Sequence, residues 1–365
     1  MPDTVDFTDI RVSEDAIEAV EDVLRGGRYV KGPVVERFES AFAEECGVDH
    51  AVGVSSGTAA LRLALQAADV GPGDDVFVPG HTFFATVSPV LSLGANPVFV
   101  DVDSETYTMD PDSLADAAAD AENPAAVIPV HIYGCLAEMG AIRSIADEHD
   151  LFVLEDACQA HFGDRGEDVA GAAGDAGAFS FYPSKNMTVA GDGGMVTTDD
   201  PDLAREMREL RNHGRDDAGT HLHLGLNYRL DETNAAVGID QLERVRDWNE
   251  RRNAAAQRYT ERLADVDGVE TPTEPDDAFH VYHLYVVQTD DRDGLREHLD
   301  DRGIGTGIHY ETPAHRHPAV EDRTDPDTLP VTERLVDRIV SLPMHPRIED
   351  DEVDTVCEAI AGYLE

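Results

Sequence analysis

Lysine is almost missing from this sequence. Of 28 basic residues in 365, only Lys31 and Lys185 are lysines; the other 26 are arginines. Positive charge is itself scarce, because 28 basic against 75 acidic side chains leave a formal net charge of −47. A surface so acidic repels nucleic acid phosphates and excludes DNA or RNA binding as the main activity. The four cysteines (Cys46, Cys135, Cys158, Cys357) form no CxxC pair. That excludes zinc-ribbon and thioredoxin-type chemistry, and reduced, mostly buried thiols are expected. No GxGxxG follows the first expected strand, so a dinucleotide-binding fold is not supported. No apolar run approaches the ~18 residues of a membrane-spanning helix. The N-terminus, Met-Pro-Asp-Thr-Val-Asp, lacks the basic and apolar regions of a signal peptide. A cytoplasmic protein with no membrane partner is expected. The pairs His221/His223 and His315/His317 lack an acidic or thiolate partner at a recognisable spacing, so they read as loop histidines and no metal site is expected.

The acidic residues are spread over the whole chain, so their mutual repulsion opposes compaction unless salt screens it. Dispersed Asp and Glu with little lysine predict a halophilic protein. The length suggests two domains. Apolar runs at 51–55, 75–79, 97–102, 126–132, 151–155, 178–182 and 195–198 read as strands. Helical patterns fall between them near 57–69, 82–93, 112–121 and 136–148. This alternation predicts an α/β fold with a mostly parallel seven-stranded sheet covered on both faces. The segment after Ser13, up to about residue 45, reads as helical. One long helix is expected over 234–264, followed by a Pro- and Asp-rich stretch. A strand at 283–288 and helices near 292–302, 331–340 and 350–363 predict a smaller α+β domain. The expected division is a large domain over 1–249 and a small C-terminal domain over 250–365.

Three places carry chemistry. Ser55-Ser56-Gly57-Thr58 follows the first strand and opens a helix, where free backbone N–H groups and the helix dipole favour an anion such as phosphate. The same residues also suit a simple helix cap. Glu155-Asp156 ends the fifth strand, and ligands of open parallel sheets bind at carboxyl strand ends. A carboxylate there can keep a heterocyclic nitrogen protonated, or it can merely cap a turn. Lys185 stands 29 residues further on, between another strand and a Gly-Asp-Gly-Gly turn (191–194). Arginine cannot act as a nucleophile, so a lysine retained in a lysine-poor chain points to chemistry that needs a primary amine. A phosphate site, a strand-end aspartate and a lone lysine are together the parts of a pyridoxal phosphate site.

From about Gly27 onward the chain resembles the DegT/DnrJ/EryC1/StrS sugar aminotransferases, which have the aspartate aminotransferase fold (fold type I). The resemblance is carried by Gly32-Pro33, Ser56-Gly57-Thr58, Pro79-Gly80-His81-Thr82-Phe83, Val130-His131-Ile132-Tyr133-Gly134, Glu155-Asp156-Ala157-Cys158-Gln159, residues 179–194, Leu226-Asn227-Tyr228-Arg229-Leu230 and Ser341-Leu342-Pro343-Met344-His345. It implies a pyridoxal 5'-phosphate cofactor held by Gly57, Thr58 and Ser180 at its phosphate. It implies Phe83 stacked on the ring, Asp156 at the ring nitrogen and Gln159 at the ring hydroxyl. Lys185 is implied as the Schiff-base lysine and proton shuttle. Asn227 is implied to reach the cofactor phosphate of the neighbouring subunit, which makes a homodimer with shared sites. Arg229 is implied near that loop or the substrate.

Some members of the family have histidine at the lysine position and are dehydratases, so Lys185 favours transamination. The implied substrates are a nucleotide-linked 3- or 4-keto sugar and a glutamate or glutamine donor, in glycan or surface polysaccharide biosynthesis. Aminohydroxybenzoate synthesis is a lysine-retaining alternative, and a catalytically silent cofactor-binding sensor is another. His81 departs from the small or apolar residues usual beside the stacking aromatic and bears on substrate preference.

Overall fold

The structure, a computed structural model, describes residues 4–321 and 328–364. The first three residues of the acidic N-terminus lie outside it. Seven strands form one sheet: β1 (His50–Val54), β2 (Asp75–Pro79), β3 (Asn96–Val100), β4 (Pro124–Val127), β5 (Phe152–Asp156), β6 (Ala176–Ser180) and β7 (Gly194–Thr198). Their spatial order is β1-β7-β6-β5-β4-β2-β3. All pairings are parallel except those of β7, which runs antiparallel to β1 and β6. The expected α/β fold with a mostly parallel seven-stranded sheet is what forms. Every expected run overlaps its strand, with ends moved by a few residues.

Side chains alternate along a strand, and that alternation sorts the core. Val52, Val54, Val76, Val78, Leu154, Ala178 and Val196 face one side, with α3 (Gly57–Ala67), α4 (Phe84–Leu93) and α7 (Pro201–Leu210). Ala51, Phe179, Phe181 and Met195 face the other, with α2 (Pro33–Cys46) and α8 (Glu232–Leu242). Towards the β3 edge, Phe77, Val127 and Val153 meet α5 (Pro111–Asp120) and α6 (Met139–His149) on that second side. Residues near the N-terminus form α1 (Glu14–Gly26), capped by the Ser13 hydroxyl accepting from the Ala16 amide at 3.1 Å, and then α2. The Gly32-Pro33 motif starts α2: buried Glu232 accepts the Gly32, Val34 and Val35 amides. A Cβ at Gly32 would lie 2.5 Å from that carboxylate.

Two expectations need correction. The helix expected over 234–264 is two helices, α8 and α9 (Val245–Leu263), broken at Glu243–Arg244 without a glycine or proline. Their buried faces serve different cores. Ala235 and Leu242 pack with the large sheet, and Ala255, Ala256, Tyr259 and Leu263 pack with C-terminal residues. One straight rod cannot satisfy both, so tertiary packing overrides helical propensity. The helix expected over 331–340 stops as α11 (Pro330–Val336), after α10 (Arg292–Asp300). Residues Ile339–Leu342 are instead a strand, β9, antiparallel to β8 (Tyr285–Gln288). All four β9 residues are buried, and a short, mostly apolar run does not by itself distinguish strand from helix. A final helix, α12 (Asp350–Leu364), packs with β8, β9, α9 and α10 around Tyr285, Leu295, Val340 and Ile360. Val5 joins this C-terminal cluster and bridges to Ile304. The four cysteines are free, and three are fully buried.

Candidate active site

The carboxyl ends of β1, β5 and β6 open into one cavity of ≈ 430 Å³. It is lined by Gly57, Thr58, Phe83, Asp156, Gln159, Ser180 and Lys185, seven of the eight expected cofactor-binding residues.

The α3 end comes first. Ser56 caps it by accepting the Ala59 amide at 3.1 Å, and Ala60 N–H donates to the Ser56 carbonyl. The Gly57 and Thr58 amides are the first two of the helix, have no intrahelical acceptor and find no other partner among the described residues. A Cβ at Gly57 would lie 2.8 Å from both Cys158 Sγ and Ser180 Cβ, so only glycine lets the helix start approach the strand ends. Ser180 Oγ stands beside this turn and accepts the Tyr182 amide at 3.4 Å.

Alternation in β5 separates two adjacent carboxylates. Asp156 shares the face of Leu154, towards α3 and α4, and Glu155 points the opposite way. Glu155 is fully buried, accepts from the Gly171, Ala173 and Gly174 amides, and meets His131 Nε2 at 2.8 Å. His131 Nδ1 takes the Ala137 amide, so Nε2 carries the proton that Glu155 accepts. Glu155 therefore holds a loop together. Asp156 Oδ2 accepts from Thr86 Oγ1 at 2.8 Å, and Oδ1 accepts from the Cys158 amide at 3.2 Å. Because Thr86 gives its proton to Asp156, the 2.8 Å contact between Thr82 and Thr86 must have Thr82 as donor. A relay of two hydroxyls thus fixes the carboxylate.

Lys185 follows β6 in a turn closed by its own amide donating to the Tyr182 carbonyl. No carboxylate lies within 4 Å of its amine among the described residues. Burial lowers its pKa below the usual 10.5, while Cys158 and Asp156 pull the other way. A larger share of free amine at neutral pH is the result, as a nucleophile requires. The other lysine, Lys31, is exposed on the surface. Burial also holds His283 and His309 below the ordinary histidine value, His309 at about 4, so neither adds positive charge beside Lys185.

Gln159 Oε1 accepts the Tyr133 amide at 2.7 Å and its Nε2 donates to Tyr310 Oη at 2.9 Å. Phe83 is 55% exposed, and its ring centroid lies 5.4 Å from that of Tyr310. Sequence reasoning missed Tyr310, His309, His283 and Tyr182, all of which line the cavity. It also missed Thr86, which a spacing of one helical turn from Thr82 could have signalled. His81 is buried behind the cavity, 2.6 Å from Tyr133 Oη, and burial lowers its pKa to about 4.

Asn227 is not brought into the cavity of its own chain. It is exposed and pairs by backbone with Asn212. Arg229 donates to the Asn212 side chain at 2.8 Å. The loop before Asn227 exposes Leu222, Leu224 and Leu226 at 57, 87 and 46%.

The donor set fits pyridoxal phosphate. Two free amides at a helix start suit a phosphate, a buried oriented carboxylate suits a ring nitrogen, and an unpaired lysine of lowered pKa suits a carbonyl. Comparison with known proteins agrees. The chain is 43% identical over 361 residues to a dTDP-3-amino-3,4,6-trideoxy-alpha-D-glucose transaminase of Streptomyces venezuelae, covering 98% of this chain and 94% of the relative. Its fold matches the crystal structure of S. venezuelae DesV solved with an intermediate bound, at TM-score 0.96, 41% identity and 99% coverage of each chain. A Streptococcus pneumoniae structure in its PMP (pyridoxamine phosphate) form matches at TM-score 0.92 and 25% identity, covering 99% of this chain and 97% of that one. Residues 11–361 match the profile of the DegT/DnrJ/EryC1/StrS aminotransferase family. The chain therefore belongs to that family and is an aminotransferase whose cofactor is pyridoxal 5'-phosphate.

Proposed function

We propose that this protein moves an amino group from glutamate or glutamine onto a 3- or 4-keto sugar carried by a nucleoside diphosphate, for glycan or surface polysaccharide assembly. The observation that carries this reading is the shared cavity: Lys185 and Asp156 face it together, with the free α3 amides on its wall. When bound, pyridoxal phosphate supplies an electron sink and carries the amino group between the two substrates. The Gly57 and Thr58 amides and the Ser180 hydroxyl hold the phosphate. Asp156, fixed by Thr86 and the Cys158 amide, keeps a proton at the ring nitrogen. Phe83 covers a ring face, and Gln159 reaches the ring hydroxyl. Lys185 offers the amine that anchors the cofactor, then takes and returns the proton at the substrate carbon. Presence of both Lys185 and Asp156 favours turnover over a silent sensor. Incubating the protein with a panel of nucleotide keto sugars and amino donors, with mass detection of the amine, tests the reading. Amination of none of them, under conditions where the protein binds its cofactor, would refute it.

The working unit in this reading is a homodimer. Three exposed leucines within five residues form an apolar strip next to Asn227, the kind of surface a partner subunit covers. Asn227 then contributes to the partner's site. Mixing Lys185→Ala with an impaired Asn227 variant under subunit exchange should restore about a quarter of wild-type activity, because about half of randomly paired dimers are mixed and each holds one intact site. No recovery despite proven exchange would mean either that the site lies within one chain or that Asn227 is not its phosphate contact. We further assign the protein to a cytoplasm of high salt, and divide it into a large domain over 1–249 and a small one over 250–365, with Val5 packed on the latter. Among the described residues no helix is long and apolar enough to cross a membrane. Circular dichroism from low to molar potassium chloride should show folding strengthened by salt. Full stability at low ionic strength would count against halophily.

A further inference from the structure

Behind the Lys185 turn lies a second, much smaller cavity, ≈ 30 Å³, between the start of α9, the N-terminal segment and the residues after β9. Its wall includes Asp9, Arg11, Trp248, Arg252, His345 and Arg347. Three guanidiniums and the Lys185 amine there face one carboxylate, in a chain whose net charge is −47. Asp9 is taken up by the outer two: it lies 2.9 Å from Arg11 and 3.6 Å from Arg347. Arg252 is left without a counter-ion. It is only 5% exposed, and its Nη1 donates to the Tyr282, His283 and Met344 carbonyls at 3.0–3.4 Å. Its Nε and His345 Nδ1 are enclosed with no partner at all. An unpaired buried charge is unfavourable by several kcal/mol in general, and an anion in contact relieves it.

We propose that this cavity is a binding site for one halide-sized anion, chloride being the physiological member of that class, which neutralises Arg252 and ties α9 to the N-terminal segment and the chain after β9. Size selects the ligand. A water needs about 10–15 Å³ of such space, so the cavity takes one or two particles of that size and no phosphate or amino acid carboxylate. The site adjoins the cofactor cavity, with Thr8, Ser184 and Lys185 on the wall the two share, and does not depend on which substrates the enzyme uses.

Trp248 is the sole tryptophan and lines this cavity, so it reports on it directly. The cofactor-loaded protein is titrated with potassium chloride at constant ionic strength, with potassium gluconate as balance, while Trp248 emission and the melting temperature are followed. A saturable emission change and a rise in melting temperature are expected for chloride and bromide but not for acetate. Arg347→Gln removes a wall charge away from the buried carbonyl contacts and should weaken the chloride response about tenfold, the size of one charge-assisted hydrogen bond. Arg252→Gln, if it folds, should abolish it. Crystals grown in bromide should show one anomalous peak within contact of the Arg252 guanidinium. Identical responses to chloride and gluconate, or only water density at that position, would overturn the proposal.

Discussion

Along the floor of the larger cavity, Gly57, Asp156, Ser180 and Lys185 all lie at or just beyond the ends of β1, β5 and β6; its roof, His283, His309 and Tyr310, comes from the far end of the chain. The floor is rigid because each residue is fixed by local geometry: a helix start, a strand end, a tight turn. The roof is held by contacts between segments distant in sequence. Gln159 bonds Tyr310, and Phe7 stacks on His309 with centroids 5.8 Å apart and planes 8° from parallel. The contrast suggests a division of labour, with chemistry on the floor and substrate fit at the roof.

The largest effect should come from the floor. Lys185→Arg keeps the positive charge but removes the primary amine, and turnover should fall by at least about 10⁴-fold, measured as amine product by mass spectrometry. Borohydride treatment of the cofactor-loaded wild type should label Lys185 and leave Lys31 untouched. Asp156→Asn should bind the cofactor yet lose at least about 10²-fold in rate. Thr86→Val, which removes only the hydroxyl orienting that carboxylate, should lose about tenfold. Equal effects of these two substitutions would mean that Thr86 does more than orient.

The roof should respond differently. Tyr310→Phe removes one hydrogen bond to Gln159 and should raise KM for the sugar several-fold, with kcat within about threefold of wild type. A collapse of kcat instead would erase the distinction between floor and roof.

The smallest effect is thermodynamic. Burial gives Lys185 a lower pKa in the folded protein than the 10.5 of the unfolded chain. Between those two values the unfolded state binds more protons, so the stability of the cofactor-free protein rises with pH there. Each unit of depression corresponds to about 1.4 kcal/mol. Lys185→Met should be more stable than wild type at neutral pH, with the difference fading towards pH 10.5. A constant difference across that range would show that the amine is not desolvated.

The main sheet and the groups that gather at its carboxyl ends were legible in the sequence for a common reason. Strands buried on both faces are written as short apolar runs, and the groups at their ends, Gly57, Asp156 and Lys185, follow within a few residues. The duties of Glu155 and Asp156 are also implicit there, because a period of two sends neighbours to opposite faces. Other features were hidden. Thr86 looks like any helical threonine, and Tyr310 carries no motif that ties it to Gln159.

Sequence alone determined the apolar alternation, the acidic surface and the placing of one rare amine after a strand, because these depend on local pattern and composition. Only the tertiary structure decided that helix 234–264 breaks at Glu243–Arg244, that Ile339–Leu342 becomes a strand beside Tyr285–Gln288, that Asn227 turns away from its own chain's cavity, and that Arg252 is buried without a counter-ion. Each of these follows from burial against residues distant in sequence, and a local pattern does not encode which distant surface a segment will meet.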